Sequence, residues 1–310
     1  MEIIRHIIAH APFPHPVVTL GNFDGIHLGH QAILTRVVQE AQARQGTALV
    51  VTFHPHPLAV LRPGQPFSLI LSLREKLRVL ASLGIQGIVL QHFTAPFSQF
   101  TPEEFVQRYL VDAIGAEKII VGHNVSFGRN RTGRAETLER LGHVHGFAVE
   151  IVGPVLVEGR EVSSTGVRTL LSAGEMRKVT RLLDRPYSVS GRVEKGFQRG
   201  RGLGFPTANL RPRADVLLPN GVYAVVVTVG EREIPGVANV GVNPTFGGNK
   251  RTIEAHLFDF SADLYGQRLR VGFIEHLRGE RKFPSVQELV RQIQQDASRA
   301  RALLSQPAQS

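Results

Sequence analysis

The sequence predicts an α/β protein, with an N-terminal doubly wound parallel sheet followed by a small antiparallel β-barrel and a terminal helix. Three observations carry the prediction. Through residue 184, short β-branched runs alternate with helical stretches, as a parallel sheet with crossover helices requires. Beyond Pro186 the period changes to successive strand-like runs separated by Pro/Gly/Asn turns, with no helical pattern until Ser285. The 310 residues exceed one typical core, so two domains are expected, 1–184 and 185–310.

The elements follow in order. Residues 17–20, 48–53, 87–90, 118–121 and 148–152 are β-branched and read as buried strands. Residues 31–43 carry Ile33, Leu34, Val37, Val38 and Ala41 at helical spacing. Ser72-Leu-Arg-Glu75 and Thr101-Pro-Glu-Glu104 are capping boxes, and Gly84 and Gly115 stop the helices they open. A further apolar run spans 154–157, and an amphipathic helix spans 174–183. In the second half, 187–193, 222–229, 234–240, 252–258 and 269–277 are strand-like. Strands without crossover helices pair antiparallel, and closure into a barrel removes the exposed edges. Ser285-Val-Gln-Glu288 opens a terminal helix through about residue 304.

Composition narrows the partners. With 42% hydrophobic and 20% charged residues the chain is of ordinary globular make-up. No apolar run reaches membrane-spanning length, and residues 1–10 are too short and too charged for a secretory signal, so a cytoplasmic location is expected. The absence of cysteine excludes disulfides and thiolate chemistry, and leaves any zinc site to histidine and carboxylate. Of the net charge of +10, residues 1–184 hold 18 Lys+Arg against 15 Asp+Glu, and residues 185–310 hold 18 against 11. Such an excess attracts phosphates. The basic residues are scattered, and no aromatic residues alternate with them as a stacking platform, so neither specific nucleic acid nor a membrane is the expected partner.

In parallel sheets ligands bind beyond the carboxyl ends of the strands. The first strand runs into Gly21-Asn-Phe-Asp-Gly-Ile-His-Leu-Gly-His30, a strand-to-helix turn. Gly21, Gly25 and Gly29 permit positive φ or close approach, and the N–H groups of the following helix suit an anion. His27 and His30, three apart, can both face that anion. Later loops add His54-Pro-His56-Pro57, Gly122-His-Asn124-Val-Ser-Phe127-Gly128 and Ser163-Ser164-Thr165-Gly-Val-Arg168. Hydroxyls, amides, imidazoles and an arginine around one opening describe a triphosphate site. Each element alone has a plainer reading: a turn with solvent-facing histidines or half a zinc site, a stiff His-Pro loop, a simple helix cap. Their combination favours the phosphate site.

Together these motifs resemble the nucleotidyltransferases that move an adenylyl or cytidylyl group, and more narrowly the FAD synthetase module of prokaryotic bifunctional riboflavin kinase/FMN adenylyltransferases. The resemblance implies that the first domain is a nucleotidyltransferase joining FMN and ATP into FAD, with release of pyrophosphate. It implies catalytic roles for His27 and His30, and ATP or phosphate binding by Gly21, Phe23, Asp24, Gly29, Asn124, Ser163, Ser164, Thr165 and Arg168. His56 and Phe127 are implied on the flavin side. Val125 stands where that family more often has an aromatic residue.

The second half holds two chemical stretches. Gly200-Arg-Gly202-Leu-Gly204-Phe-Pro-Thr207-Ala-Asn209 joins a glycine loop to a hydroxyl and an amide two residues apart, on one side of an extended chain. Thr252-Ile-Glu254-Ala-His256 places a carboxylate in a strand. Read alone, these are a turn and a water-facing glutamate. With Pro219-x-Gly-Val-Tyr223, Gly241-x-x-Pro-Thr-Phe246 and Asp263-Leu-Tyr-Gly266 they resemble the riboflavin kinase module. That resemblance implies phosphorylation of riboflavin to FMN by MgATP. Gly202 and Gly204 would wrap the phosphates, Thr207 and Asn209 would hold Mg²⁺, and Glu254 would serve as general base. The partners implied are small molecules, with a monomer or weak homo-oligomer as the assembly.

Overall fold

The computed structural model describes residues 1–5, 13–65, 67–194, 204–212, 215–242 and 251–305. By packing they form two compact units, Met1–Phe67 with Leu73–Ser163, and Ser68–Ser72 with Ser164–Ser310.

The first unit is a six-stranded parallel sheet of β1 (Glu2–Arg5), β2 (Val17–Leu20), β3 (Ala48–His54), β4 (Gly87–His92), β5 (Lys118–Gly122) and β6 (Ala148–Val152), in the order β1-β4-β3-β2-β5-β6. All four residues of β2 and the first five of β3 are buried, the continuous burial of a sheet covered on both faces. The covering helices are α1 (Leu28–Ala43), the short α2 (Pro57–Leu61), α3 (Leu73–Ser82), α4 (Pro102–Phe105) and α5 (Ala135–His145). In α4 the Thr101 hydroxyl accepts from the Glu104 N–H at 3.2 Å, and the Glu104 carboxylate accepts from the Thr101 N–H at 2.8 Å, which completes the expected capping box. The helix continues as a π-helical stretch, Val106–Ala113, that buries Val106 and Leu110. The core beneath includes Val18, Leu49, Val51, Leu110, Ile119 and Leu138. Strand order reverses beside β2: the chain leaves it for β3 on one side and returns to β5 on the other. The loops after β2 and β5 therefore border the crevice where such sheets bind ligands.

Two features differ from the sequence expectation. β1 adds an edge strand, its four residues too few and too charged to show a period. The run at 154–157 forms only the two-residue hairpin of β7 (Leu156–Val157) and β8 (Arg160–Glu161), because Glu158 (φ 52) and Gly159 (φ 73) make a left-handed turn.

The second unit begins with α6 (Ser164–Ser172) and α7 (Met176–Leu183) and continues as a closed barrel. Its strands are β9 (Tyr187–Glu194), β10 (Ala208–Pro212), β11 (Gly221–Val229), β12 (Arg232–Val242), β13 (Arg251–Leu257) and β14 (Arg268–Gly279). The closed order is β10-β13-β12-β11-β14-β9, with every pairing antiparallel. Because α7 packs on β9 and β14, and α6 on α7, the two helices group with the barrel although the change of sequence period comes later, at 184. α8 (Val286–Leu304) starts where Ser285 caps the Glu288 N–H, and seats Ala300 against Val222, Ala224, Val237 and Leu277. β10 was not predicted as a strand.

Candidate active sites

The turn after β2 is bent by three left-handed residues: Phe23 (φ 47), Gly25 (φ 90) and Ile26 (φ 43). Of the glycines expected to supply that freedom only Gly25 does. Gly21 and Gly29 supply space instead, since a Cβ at either would lie 3.2 Å from the Phe23 ring or 3.3 Å from the His27 ring. Positive φ is costly for a phenylalanine and more so for a β-branched isoleucine. Both are buried, and their packing holds the strained backbone. His27 is the N-cap of α1 and makes no side-chain cap bond; the first N–H groups of a helix suit an anion.

The His27 and His30 rings stack at 3.8 Å, with the Phe23 edge against His30 at 5.2 Å. Burial, then the neighbouring His27 and then the Lys76 ammonium hold His30 well below the usual histidine range, so it is neutral at neutral pH. Its Nδ1 is buried and has no hydrogen-bond partner among the described residues. Asp24 lies under the turn, 2% exposed. Lys76 on α3, 4% exposed, donates to the Asn22 carbonyl at 2.7 Å. Burial lowers its ammonium to about 8, opposed by the charge of Asp24. The sequence reading overlooked Lys76. Its signal is a charge on the apolar stripe shared with Val79 and Leu80.

After β5, Asn124 Nδ2 donates to Glu161 Oε1 at 3.4 Å, and His123 Nε2 lies 3.2 Å from the same oxygen, which ties this loop to the β7–β8 hairpin. Phe127 is buried, bridged to Gly133 and packed against Phe105. His56 caps α2 by accepting from the Leu58 N–H, and its ring stacks on Phe67 at 4.4 Å. Beyond the carboxyl ends of β3 and β4 lies an aromatic cluster that the sequence reading did not single out: Phe53, Phe93, Phe97, Phe100 and Tyr109, with centroids 5.3 to 5.8 Å apart. Three phenylalanines between positions 93 and 100 were its signal. Ser163 ends the first unit's chain segment. Ser164 and Thr165 form the first turn of α6 in the second unit, and Arg168 follows one turn on, donating from Nε to the Ser68 carbonyl at 3.2 Å.

In the barrel, strand register assembles a polar row. Asn209 on β10 is opposite Glu254 on β13 and Glu194 on β9, and Glu254 is also opposite Asn239 on β12. Cross-strand partners share a face. All four are half-buried, while their sequence neighbours Val193, Leu210, Ile253 and Val240 fill the other face. Thr207 precedes β10 by one residue, and Pro206 before it is held by His256, whose Nδ1 lies 2.9 Å from the Pro206 carbonyl oxygen. Gly204 is left-handed at φ 84. Gly202 and residues 243–246 of the predicted motifs lie outside the described residues. Glu194 and Asn239 are additions to the predicted set. An amide between apolar neighbours, Ala238-Asn239-Val240, was the available signal.

A doubly wound sheet with a glycine- and histidine-bearing turn at its switch point, followed in one chain by a barrel with an amide–carboxylate row, is the architecture of a two-domain phosphate-transferring enzyme. Residues 11–166 match the FAD synthetase family and residues 183–304 the riboflavin kinase family. Two curated relatives, both bifunctional riboflavin kinase/FMN adenylyltransferases, are similar throughout. That of Escherichia coli K12 is 37% identical over 99% of this chain and 100% of its own, and that of Pseudomonas fluorescens is 39% identical over 94% of each. A solved structure described as a macrolide-efflux protein from Streptococcus pneumoniae has a TM-score of 0.87 at 34% identity, covering 97% of this chain and 99% of its own. That description is of the other protein; among the described residues here no helix is long and apolar enough to cross a membrane. The chain belongs to the bifunctional riboflavin kinase/FMN adenylyltransferase family.

Proposed function

We propose that this chain makes FAD from riboflavin in two steps, FMN formation in the barrel domain and adenylylation in the sheet domain. The observation that carries the reading is the turn after β2: stacked imidazoles at a helix start without a side-chain cap, at the sheet's switch point. The functional domains are taken as 1–184 and 185–310, and the substrates as riboflavin, FMN and ATP. We place the enzyme in the cytoplasm as a monomer or weak homo-oligomer.

In the first domain a phosphate oxygen of FMN attacks the α-phosphorus of ATP, a new P–O–P bond forms, and the bond to pyrophosphate breaks. No covalent enzyme intermediate is needed, so the protein's contribution is positioning and charge stabilisation. His27 and His30 donate to phosphate oxygens as charge builds. Asn124, Ser163, Ser164, Thr165 and Arg168 bind the ATP phosphates. Gly21 and Gly29 admit the ligand, and the buried Phe23 and Asp24 shape the turn from beneath. His56, Phe127 and the aromatic cluster form the flavin side, because flat rings suit an isoalloxazine and Phe53, Phe97, Phe100 and Tyr109 are partly exposed.

In the second domain Glu254 accepts the proton of the riboflavin 5′-hydroxyl as its oxygen attacks the γ-phosphorus of ATP and ADP leaves. Gly202 and Gly204 let the backbone follow the phosphates. Thr207 and Asn209 would hold Mg²⁺: hydroxyl and amide oxygens beside a carboxylate are the hard donors this ion takes. When bound, Mg²⁺ neutralises charge on the transferring phosphoryl group. Incubation with riboflavin and MgATP, followed by chromatography, tests the reading. FMN followed by FAD supports it, FMN alone removes the first-domain assignment, and the absence of both products removes the second-domain assignment, the first domain then being tested with supplied FMN.

A further inference from the structure

Lys76 has no role in the chemistry above, yet it is a buried cation bonded to the turn after β2. It lies on α3 with 4% of its surface exposed, and its Nζ is 2.7 Å from the Asn22 carbonyl oxygen. Asn22 opens the stretch in which Phe23, Gly25 and Ile26 are left-handed, so this bond fixes the peptide at the point where the strain begins. A buried ammonium is expensive unless something charged or polar answers it. The groups facing Lys76 are Asp24, also buried, and the imidazoles of His30 and His54, whose ionisation it opposes. His27 adds its own charge effect on His30. With His30 neutral, the standing positive charge beneath the turn is that of Lys76.

We propose that Lys76 is a positioning residue for adenylyl transfer: it clamps the Asn22 carbonyl and gives the turn a positive charge at neutral pH that draws phosphate oxygens to the two histidines. Two consequences separate this from a merely structural lysine. Its charge, apart from its hydrogen bond, supports turnover. Its removal also changes the ionisation of a second residue, His30, and so the acid side of the pH–rate profile.

The inference rests on the adenylyltransferase reading, so the test starts with the unaltered full chain, FMN and MgATP: no FAD there overturns that reading itself. Given FAD formation, Lys76→Gln removes the charge but keeps a polar donor, one atom shorter than lysine, and Lys76→Met removes both charge and donor. We expect kcat/KM for FAD formation to fall by about tenfold or more in Lys76→Gln and further in Lys76→Met, in each case less than the roughly hundredfold or more that loss of a donor touching the reacting oxygens costs. FMN formation from riboflavin in the same chains stays unchanged. Histidine NMR of Lys76→Gln should show the His30 ionisation moved upward, with the acid limb of the FAD-forming profile moving the same way. Wild-type rates and profile in Lys76→Gln would overturn the charge role. An equal loss of both activities with a lowered unfolding temperature would overturn it in favour of a folding role. If Lys76→Met does not fold, the Lys76→Gln profile decides alone.

Discussion

Replacing Glu254 by glutamine is the most decisive single perturbation, because the structure separates its effect on folding from its effect on chemistry. Glu254 is half-buried on β13, in register with Asn209 on one side and Asn239 on the other. Glutamine keeps the length and the planar end group, and its neighbours are amides that can pair with an amide as readily as with a carboxylate. The change in cross-strand pairing is therefore at most about 1 kcal/mol. That is small against a total stability of roughly 5 to 15 kcal/mol. A general base, in contrast, contributes about a hundred- to ten-thousandfold in rate. This corresponds to about 3 to 5 kcal/mol of barrier, and chemistry dominates. Riboflavin phosphorylation should fall by that factor at unchanged circular dichroism and unfolding midpoint, measured as FMN formed from riboflavin and MgATP. Adenylylation of supplied FMN, measured on the same preparation, should be unaltered. FMN formation within about threefold of wild type would refute the argument that this carboxylate takes the proton.

Other expectations follow from the same geometry. His30→Ala removes a buried imidazole from the anion-facing turn and should lower FAD formation from FMN by about a hundredfold or more, with riboflavin phosphorylation intact in the same assay. Asp296→Ala should destabilise the barrel unit by about 3 kcal/mol, the low end for a broken buried pair, because it strands Arg278, whose Nε lies 3.0 and 3.2 Å from the two carboxylate oxygens; urea unfolding reads this directly. Lys76 gives a pH signature. Its ammonium is lowered from 10.5 to about 8, so the unfolded chain binds more protons between those values and stability should rise with pH across that window. At about 1.4 kcal/mol per decade the full rise is about 3 kcal/mol; the urea midpoint should climb from about pH 8 towards 10, and Lys76→Met should flatten that slope.

The sheet was legible because β2, β3, β4 and β5 are buried and β-branched, and burial on two faces leaves no alternation to confuse the reading. β10 was not, because Ala208-Asn-Leu-Arg-Pro212 has one buried apolar residue and becomes a strand only by pairing with β9 and β13. The same contrast runs through the sites. His27, His30, Thr207, Asn209 and Glu254 sit in local motifs whose spacing can be read along the chain. Glu194 and Asn239 join the polar row only through register with Asn209 and Glu254 on neighbouring strands. Lys76 is a third kind: its position on an amphipathic helix predicts burial, and burial of an ammonium demands a counterpart, but the Asn22 carbonyl that answers it belongs to a turn more than fifty residues earlier. What a sequence hides is thus the pairing of motifs with their supports. Residues that touch a ligand are constrained in type and spacing by its chemistry, whereas residues that hold them are constrained only by where the fold brings a complementary group. A charged residue on an otherwise apolar stripe is the place to look for such a support, since the fold has to supply it with a partner.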